Sequence, residues 1–527
     1  MKKGNDLWEF RENPGIRRYD KFILLLFIMA GLISIVRFAD WWFRQEHIES
    51  FWFFVIFSLV FWYGILRMIL VWINYLNIAK PKTIVPPDGL RVAIFTTCTT
   101  GEPLSMFEKT LAACRRVRYP HTTYLLTDLT DPEIENLAAR HGAKLLQLTN
   151  TPGAKAGKIN RALGMTDEDF ILILDPDHIP FPEFLDHTLG FFEDENIGFV
   201  QVSQAYYNQY RSFTARGAAE QTYTFYGPTQ MGLYGQGCAV AIGANCTFRR
   251  KALESIGGHA VGLAEDLLTS VRIHAAGWKS VYNPVIVSRG LVPEDFGSFC
   301  KQQLKWSRGV FEVGFVELPK LFRKLSGWQK LTYSLIGTYY LVGLTSFFYT
   351  MIPFLFFATG LQPASMSFVD FIIHVSYLAV ISLVIYLYVQ RYMCHPEVER
   401  GTQWRGMILK YASYPVFLLG FLLALVNVEI PYIPTSKKAV TGYVSPFSRP
   451  LWIQISLFAV TFTLVYITRR FFTPESELVL TAEKTWGMIG FAALASIVAA
   501  GGLYAAWSSW KLKDEDPWDS VDIHKIK

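Results

Sequence analysis

The chain has 527 residues, of which 51% are hydrophobic, 16% aromatic and 18% charged, with a formal net charge of +6. Soluble domains carry about 25% charged residues, so this balance points to an integral membrane protein and away from an ordinary soluble one. The modest positive charge is explained by basic membrane flanks and a phosphate-bearing substrate, with no nucleic acid needed.

A bilayer core needs about 20 mostly apolar residues per helix. Residues 22–38 and 51–73 form two such segments. The first follows RENPGIRRYDK and has no small-residue cleavage site, so it reads as a retained anchor and not a signal peptide. Arg67 inside the second is costly in lipid and implies a polar path or a buried partner.

No spanning segment occurs between residues 80 and 320. RVAIFTTCTTGEP (91–103), TTYLLTDLTD (122–131), AKLLQLTNT (143–151) and FILILDPD (170–177) read as strands, with helix-like stretches between them. The alternation implies a doubly wound parallel sheet, which binds ligands outside the carboxyl ends of its strands. Asp128, Asp175 and Asp177 all fall at such ends. Alone, D-P-D reads equally as a polar turn in which Pro176 and Pro180 stop the strand. Three carboxylates on one rim favour a metal, and Mg²⁺ prefers one or two carboxylates together with substrate phosphate oxygens. No P-loop and no G-x-G-x-x-G is present, which weighs against nucleotide hydrolysis and dinucleotide binding. The six cysteines form no C-x-x-C pair and no H-E-x-x-H occurs, so zinc is disfavoured. Five of them lie in or beside this domain, as free thiols in a reducing compartment would.

Further along, Glu265 and Asp266 open a helix in GLAEDLLTSVRIHAAGW (262–278), where the helix dipole favours carboxylates and simple capping is a sufficient explanation. KQQLKWSRG (301–309) gathers amide, cation and indole groups, and alone would be an amphipathic surface helix. The stretch 296–325 reads as interfacial amphipathic helix. Apolar segments then recur at 331–361, 371–390, 451–468 and 486–507, with 407–428 ambiguous.

Taken in order, Asp128, DPD at 175–177, AED at 264–266 and QQLKW at 302–306 resemble the motif series of the membrane-embedded processive glycosyltransferases of family 2. These are the cellulose, chitin and hyaluronan synthases, with cellulose synthase nearest. KAGKIN (155–160), VQVSQAYYNQ (200–209) and GANCTFRRKAL (243–253) add to the likeness. Lys305 stands where the family has arginine, Ala264 where it has threonine, and the family's double aspartate after the second strand is reduced to Asp128.

The resemblance implies a cytoplasmic α/β domain of GT-A type, a Rossmann-like mixed sheet, inserted in a bundle of about six transmembrane helices. The corresponding division is two helices in 1–80, the glycosyltransferase domain in 81–325, two helices in 326–400, an interface helix and mobile loop in 401–449, and two helices with a short cytoplasmic tail in 450–527. It further implies Asp128, Lys155, Asp175, Gln302 and Lys305 around a UDP-sugar donor, and Asp175 and Asp177 on Mg²⁺ or Mn²⁺. Asp266 would be the general base, and Trp306 would face a growing glycan acceptor. Thr435, Lys437 and Lys438 would belong to a gating loop of the form T-x-K, although two lysines would also suit a plain positive-inside flank. The activity so implied is inverting, processive synthesis of a β-linked polysaccharide from a UDP-sugar, UDP-glucose first and UDP-N-acetylglucosamine next. Export would run through a multi-pass inner (plasma) membrane protein, with room for accessory subunits or an oligomer. Tyr339, Tyr340 and Tyr349 line a glycan channel or simply pack. No R-x-x-x-R segment follows the last span, so no cyclic-di-GMP-binding module is expected. Two alternatives stay open: transfer of one sugar to a lipid-linked acceptor, and a non-catalytic membrane protein with a degenerate domain.

Overall fold

Two long apolar helices, α1 (Arg18–Trp42) and α2 (Phe51–Leu76), open the chain in this computed structural model. The structure describes residues 6–526 apart from 9, 14, 367, 432–434, 443, 472–481 and 514. Leu24, Ile28, Ile35 and Phe38 of α1 are buried, yet Leu26, Ile33 and Val36 stay exposed. A helix that is apolar on every side belongs in a membrane.

The α/β domain follows: β1 (Val92–Cys98), α3 (Leu104–Cys114), β2 (Thr122–Thr127), β3 (Lys144–Gln147), α4 (Ala154–Leu163), β4 (Phe170–Leu174), β5 (Ile197–Val202), β6 (Cys246–Arg249), α5 (Glu265–Ala275) and β7 (Lys279–Asn283). The strands form one sheet in the order β7-β5-β6-β4-β1-β2-β3. In β1 and β4 successive residues point to opposite faces and both faces are covered. Val92, Ile94, Leu172 and Leu174 join one core cluster, and Ala93, Phe95, Ile171 and Ile173 join the other. Four strands expected from the sequence form as parallel neighbours, β4-β1-β2-β3. The purely parallel sheet that alternation suggested is corrected at β6, which runs antiparallel to β4 and β5. Cys246, the first residue of β6, pairs with Ile173 near the end of β4, so the chain enters β6 from the rim and must run back down the sheet. The sheet is therefore mixed.

Beyond the domain come α6 (Phe296–Glu312), α7 (Val342–Thr359), α8 (Phe368–Val389), α9 (Trp404–Ala412), α10 (Tyr414–Leu425), α11 (Arg449–Phe471) and α12 (Ala482–Trp510). Among the described residues six helices are long and apolar enough to cross a membrane, the third running Gly327–Thr359. The pair α9–α10, bent by 45°, would make a seventh if it crossed. It is strapped to α6: a Cβ on Gly420 would lie 2.2 Å from Ser307 Oγ, and Arg308 Nε donates to the Val428 carbonyl at 3.0 Å. The third span breaks at Tyr339–Leu341. Arg67 finds half-buried partners there, donating through Nη1 to the Leu335 carbonyl (2.9 Å) and Thr338 Oγ1 (3.1 Å), and on its own helix to Tyr63 Oη (3.2 Å).

The end of the chain returns to the α/β domain. Trp518 is fully buried among Cys98, Met106, Phe107 and Leu111, and its Nε1 donates to Ser105 Oγ at 2.9 Å. Lys109 Nζ donates to the Val521 carbonyl at 3.1 Å.

Candidate active site

The strands deliver their carboxylates to one rim. Asp128 follows β2 directly and Asp175 follows β4. Between Asp175 and Asp177 the chain turns: His178 N donates to the Asp175 carbonyl at 3.0 Å, and Thr110 Oγ1 donates to the Pro176 carbonyl at 2.7 Å. The D-P-D stretch is a polar turn, and it also gathers ligands. Side-chain ligand atoms of Asp175, Asp177 and His178 lie within 4.8 Å of one another. His178 Nδ1 is 3.3 Å from Asp177 Oδ1, and its Nε2 is 3.2 Å from Gln204 Nε2. The imidazole has room only because residue 290 is glycine; a Cβ there would lie 2.4 Å from the ring. Two carboxylates, one imidazole and incoming phosphate oxygens suit a divalent cation.

Helix α4 supplies two cations three residues apart, on one face. Lys155 contacts the Asp175 carboxylate and the Gly243 carbonyl. Lys158 is buried and donates to Asp128 Oδ1 (2.7 Å) and to the Cys98 carbonyl (2.9 Å). Burial alone would depress the Lys155 ammonium, but Asp175 and then Glu265 outweigh it and raise its pKa.

A third cation arrives from far along the chain. Lys437 Nζ lies 3.2 Å from Asp177 Oδ2. Burial would raise the Asp177 carboxyl; Lys437, followed by His178, reverses that and holds it well below the usual carboxylate range. The neighbouring Lys438 pairs with Asp516 at 2.5 Å and lies 5.6 Å from the Trp518 ring centre. Val440 N donates to Asp295 Oδ2 at 3.2 Å, while Asp295 Oδ1 caps α6 through Ser298 N at 2.8 Å. The loop is thus tied to the rim, to α6 and to the end of the chain.

On the other side, Glu265 and Asp266 form the first turn of α5. Asp266 Oδ1 accepts from Leu267 N at 2.7 Å within the first turn, although the N-cap residue, Ala264, makes no side-chain cap, and Asp266 Oδ2 would lie 3.4 Å from a Cβ on Gly243. Burial, reinforced by Asp266, pushes Glu265 up to about 7, and burial also raises Asp266. Lys305 on α6 is depressed by burial against the pull of Glu265 and Asp175. Gln302 is half-buried on the same helix, and Trp306 is 38% exposed. Thr435 is half-buried in the loop. The structure therefore joins Lys155 to Asp175 and Lys437 to Asp177, and sets Asp266 across Gly243 from Lys155. Asp128 is bound instead to Lys158 of KAGKIN, whose three-residue spacing from Lys155 is the signal that the sequence carries for it. His178 was also missed, although it adjoins Asp177. All six cysteines are buried and free.

Residues 170–393 match the family described as glycosyl transferase family group 2. The chain is 27% identical over 360 residues to cellulose synthase 1 of Komagataeibacter xylinus, covering 65% of this chain and 23% of that one. It is 29% identical over 357 residues to the UDP-forming cellulose synthase catalytic subunit of Komagataeibacter sucrofermentans, covering 64% and 46%. The corresponding subunit of Xanthomonas axonopodis pv. citri is 31% identical over 244 residues, covering 45% and 34%. The chain thus spans less than half the length of these relatives. Among solved structures, the mannosyltransferase PcManGT from Pyrobaculum calidifontis, in complex with GDP-Man and Mn²⁺, aligns with TM-score 0.50 and 15% identity, covering 72% of this chain and all of that one. At that identity the likeness is one of fold, and it supports the GT-A-like mixed sheet.

Proposed function

We propose that this chain is a family 2 glycosyltransferase of the cellulose synthase-like group, as the match of residues 170–393 supports, and that it polymerises a β-linked glycan from a UDP-sugar, UDP-glucose first, on the cytoplasmic side and moves the product across the membrane. The observation that carries the reading is the pairing on one rim of a cluster able to hold a cation (Asp175, Asp177, His178) with a separate half-buried carboxylate, Asp266, whose pKa is raised. Two carboxylate environments with different proton affinities divide the work between holding a charge and taking a proton.

In this reading Asp175, Asp177 and His178 would hold a divalent cation, Mg²⁺ or Mn²⁺, beside the donor diphosphate. When bound, the cation neutralises charge growing on the leaving UDP. Asp128 contacts the uridine, and Lys155 and Lys305 stabilise the diphosphate as the bond to the anomeric carbon breaks. Asp266 accepts the proton of the acceptor hydroxyl while that oxygen attacks the anomeric carbon from the face opposite UDP. An α-linked donor then yields a β-linked product, with UDP carrying the bonding electrons away. Burial suits Asp266 to this, because a base must be unprotonated at working pH and yet basic enough to take a proton. Gln302 flanks the diphosphate, and the exposed Trp306 offers an indole face to the acceptor sugar. Thr435, Lys437 and Lys438 close over the donor. The aromatic cavity among the membrane helices that contains Tyr339 and Tyr349 is the exit path.

The test is product analysis with the purified full chain in vesicles, supplied with each UDP-sugar in turn and Mg²⁺. A polymer of β-linked units supports the proposal. A single sugar on a lipid acceptor would replace it with the non-processive reading, and absence of UDP–Mg²⁺ binding would point to a non-catalytic domain.

A further inference from the structure

The membrane helices enclose a cavity of about 910 Å³. Its wall is aromatic and apolar, with hydroxyls from Tyr339, Tyr349 and Thr345, and among the described residues it contains two cations, Arg67 and Lys410, and no aspartate or glutamate. Both cations address the same ring: the Arg67 guanidinium carbon lies 5.8 Å and Lys410 Nζ 4.8 Å from the centre of Tyr339. Arg67 bonds only neutral oxygens, and among the described residues neither cation forms an ion pair. Tyr339 adjoins Tyr340, which packs against Phe311 of α6, the helix that carries Lys305 and Trp306. The cations therefore stand at the end of the cavity that faces the candidate active site.

Two unneutralised cations at a low-dielectric wall are expensive, and a mobile anion offsets that cost. Aromatic faces with adjacent hydroxyls suit a sugar ring better than an acyl chain, and the location continues from the acceptor side of the site. We propose that Arg67 and Lys410 form an anion-selective station at the entrance of the exit path, and that the glycan passing it carries carboxylates, as uronosyl units do. The inference rests on the reading of this cavity as the exit path and adds an acidic unit to what passes through. A guanidinium beside an ammonium recognises a carboxylate through charge-assisted bonds, while Tyr339 stacks beneath the ring that bears it.

The experiment measures oligosaccharide binding to the full-length protein in detergent, followed by tryptophan fluorescence, and needs no turnover. Oligoglucuronate should bind about tenfold or more tighter than a neutral gluco-oligosaccharide of equal length, the equivalent of one charge-assisted contact. R67Q and K410Q should each abolish that preference, and salt should weaken it. R67K, which keeps the charge, should retain most of it even if R67Q fails to insert. Equal affinity for acidic and neutral oligomers in the parent overturns the inference, as does displacement of the acidic oligomer by phosphatidylglycerol but not by phosphatidylcholine, which would make the cavity a lipid site. In vesicles, a neutral polymer made from UDP-glucose alone at rates unchanged in K410Q would leave the polymerase reading standing and remove the anionic station. Loss of all transfer with acidic binding intact would do the reverse.

Discussion

Asp177 shares its carboxylate between His178 and Lys437, so its substitution acts on charge more than on shape. Asp177→Asn should weaken Mg²⁺-dependent UDP binding together with turnover; calorimetric UDP–Mg²⁺ affinity equal to the parent's would remove Asp177 from the cation site. Asp266→Asn keeps the cap on Leu267 but cannot take a proton. Its turnover should fall by the 10²–10⁴-fold typical of a lost general base, with UDP binding near normal, and a loss under about threefold would leave Asp266 a cap alone. The pH dependence has a definite sign. Glu265 is held near 7 and burial raises Asp266 above its ordinary value, so acidification protonates Glu265 through about 7 and Asp266 at higher pH than an ordinary carboxyl, and activity falls on the acid side. Glu265→Gln removes the like charge and should move that limb to lower pH; a limb that stays in place would mean that another group titrates. Asp175 and Asp177 were legible because an apolar strand ended on two carboxylates one residue apart. His178 was not, since its place depends on the absence of a side chain at Gly290, distant in the chain and brought near only by the second, three-stranded sheet of Ile179–Pro180, Ala205–Tyr206 and Ser288–Gly290.

At the scale of elements, the loop carrying Lys437 lies on the rim with its ammonium 3.2 Å from Asp177 Oδ2, a carboxylate that the proposed reading also gives to the cation. Cation and lysine therefore compete. Lys437→Ala should tighten binding of free Mn²⁺, read by electron paramagnetic resonance, while lowering turnover with UDP-sugar; unchanged Mn²⁺ affinity would show that the lysine does not occupy the cation's place. With UDP and Mg²⁺ present, amide exchange at 435–442 should slow if the loop closes over the donor, and unaltered exchange with normal turnover in the Lys437→Ala, Lys438→Ala double variant would make it a topological flank. The membrane helices were legible from length and hydropathy, and so were the four parallel strands, from buried apolar runs. The antiparallel β6 was not, because strand direction is set by where the preceding loop leaves the chain, which residue pattern does not encode. The bend between α9 and α10 was likewise hidden, since each half is apolar and only packing on α6 separates their directions.

For the whole molecule, the α/β domain is completed by residues that follow the last membrane helix. Nothing in PWDS, read alone, signals a core residue; burial of Trp518 depends on a groove lined by Phe107 and Leu111. Trp518→Ala should cost about 3–5 kcal/mol, as large aromatic truncations in cores do, and should also loosen Lys438 by removing the ring beside it. Faster proteolysis at 435–442 in that variant, with thermal unfolding lowered, is the expected outcome. Unchanged melting would mean that the tail merely rests on the surface.

That placement of Trp518 has a consequence for how the protein is made. A ribosome releases 81–325 early, but the tryptophan that fills this part of the core emerges only after every membrane helix has been synthesised. Until then Cys98, Met106, Phe107 and Leu111 face an open notch, and the nascent domain waits in an unfinished state while the translocation machinery inserts its remaining helices. A chain cut before residue 518 would be inserted with that apolar notch still open to quality-control proteases, so the domain's core depends on a segment made after the described membrane helices.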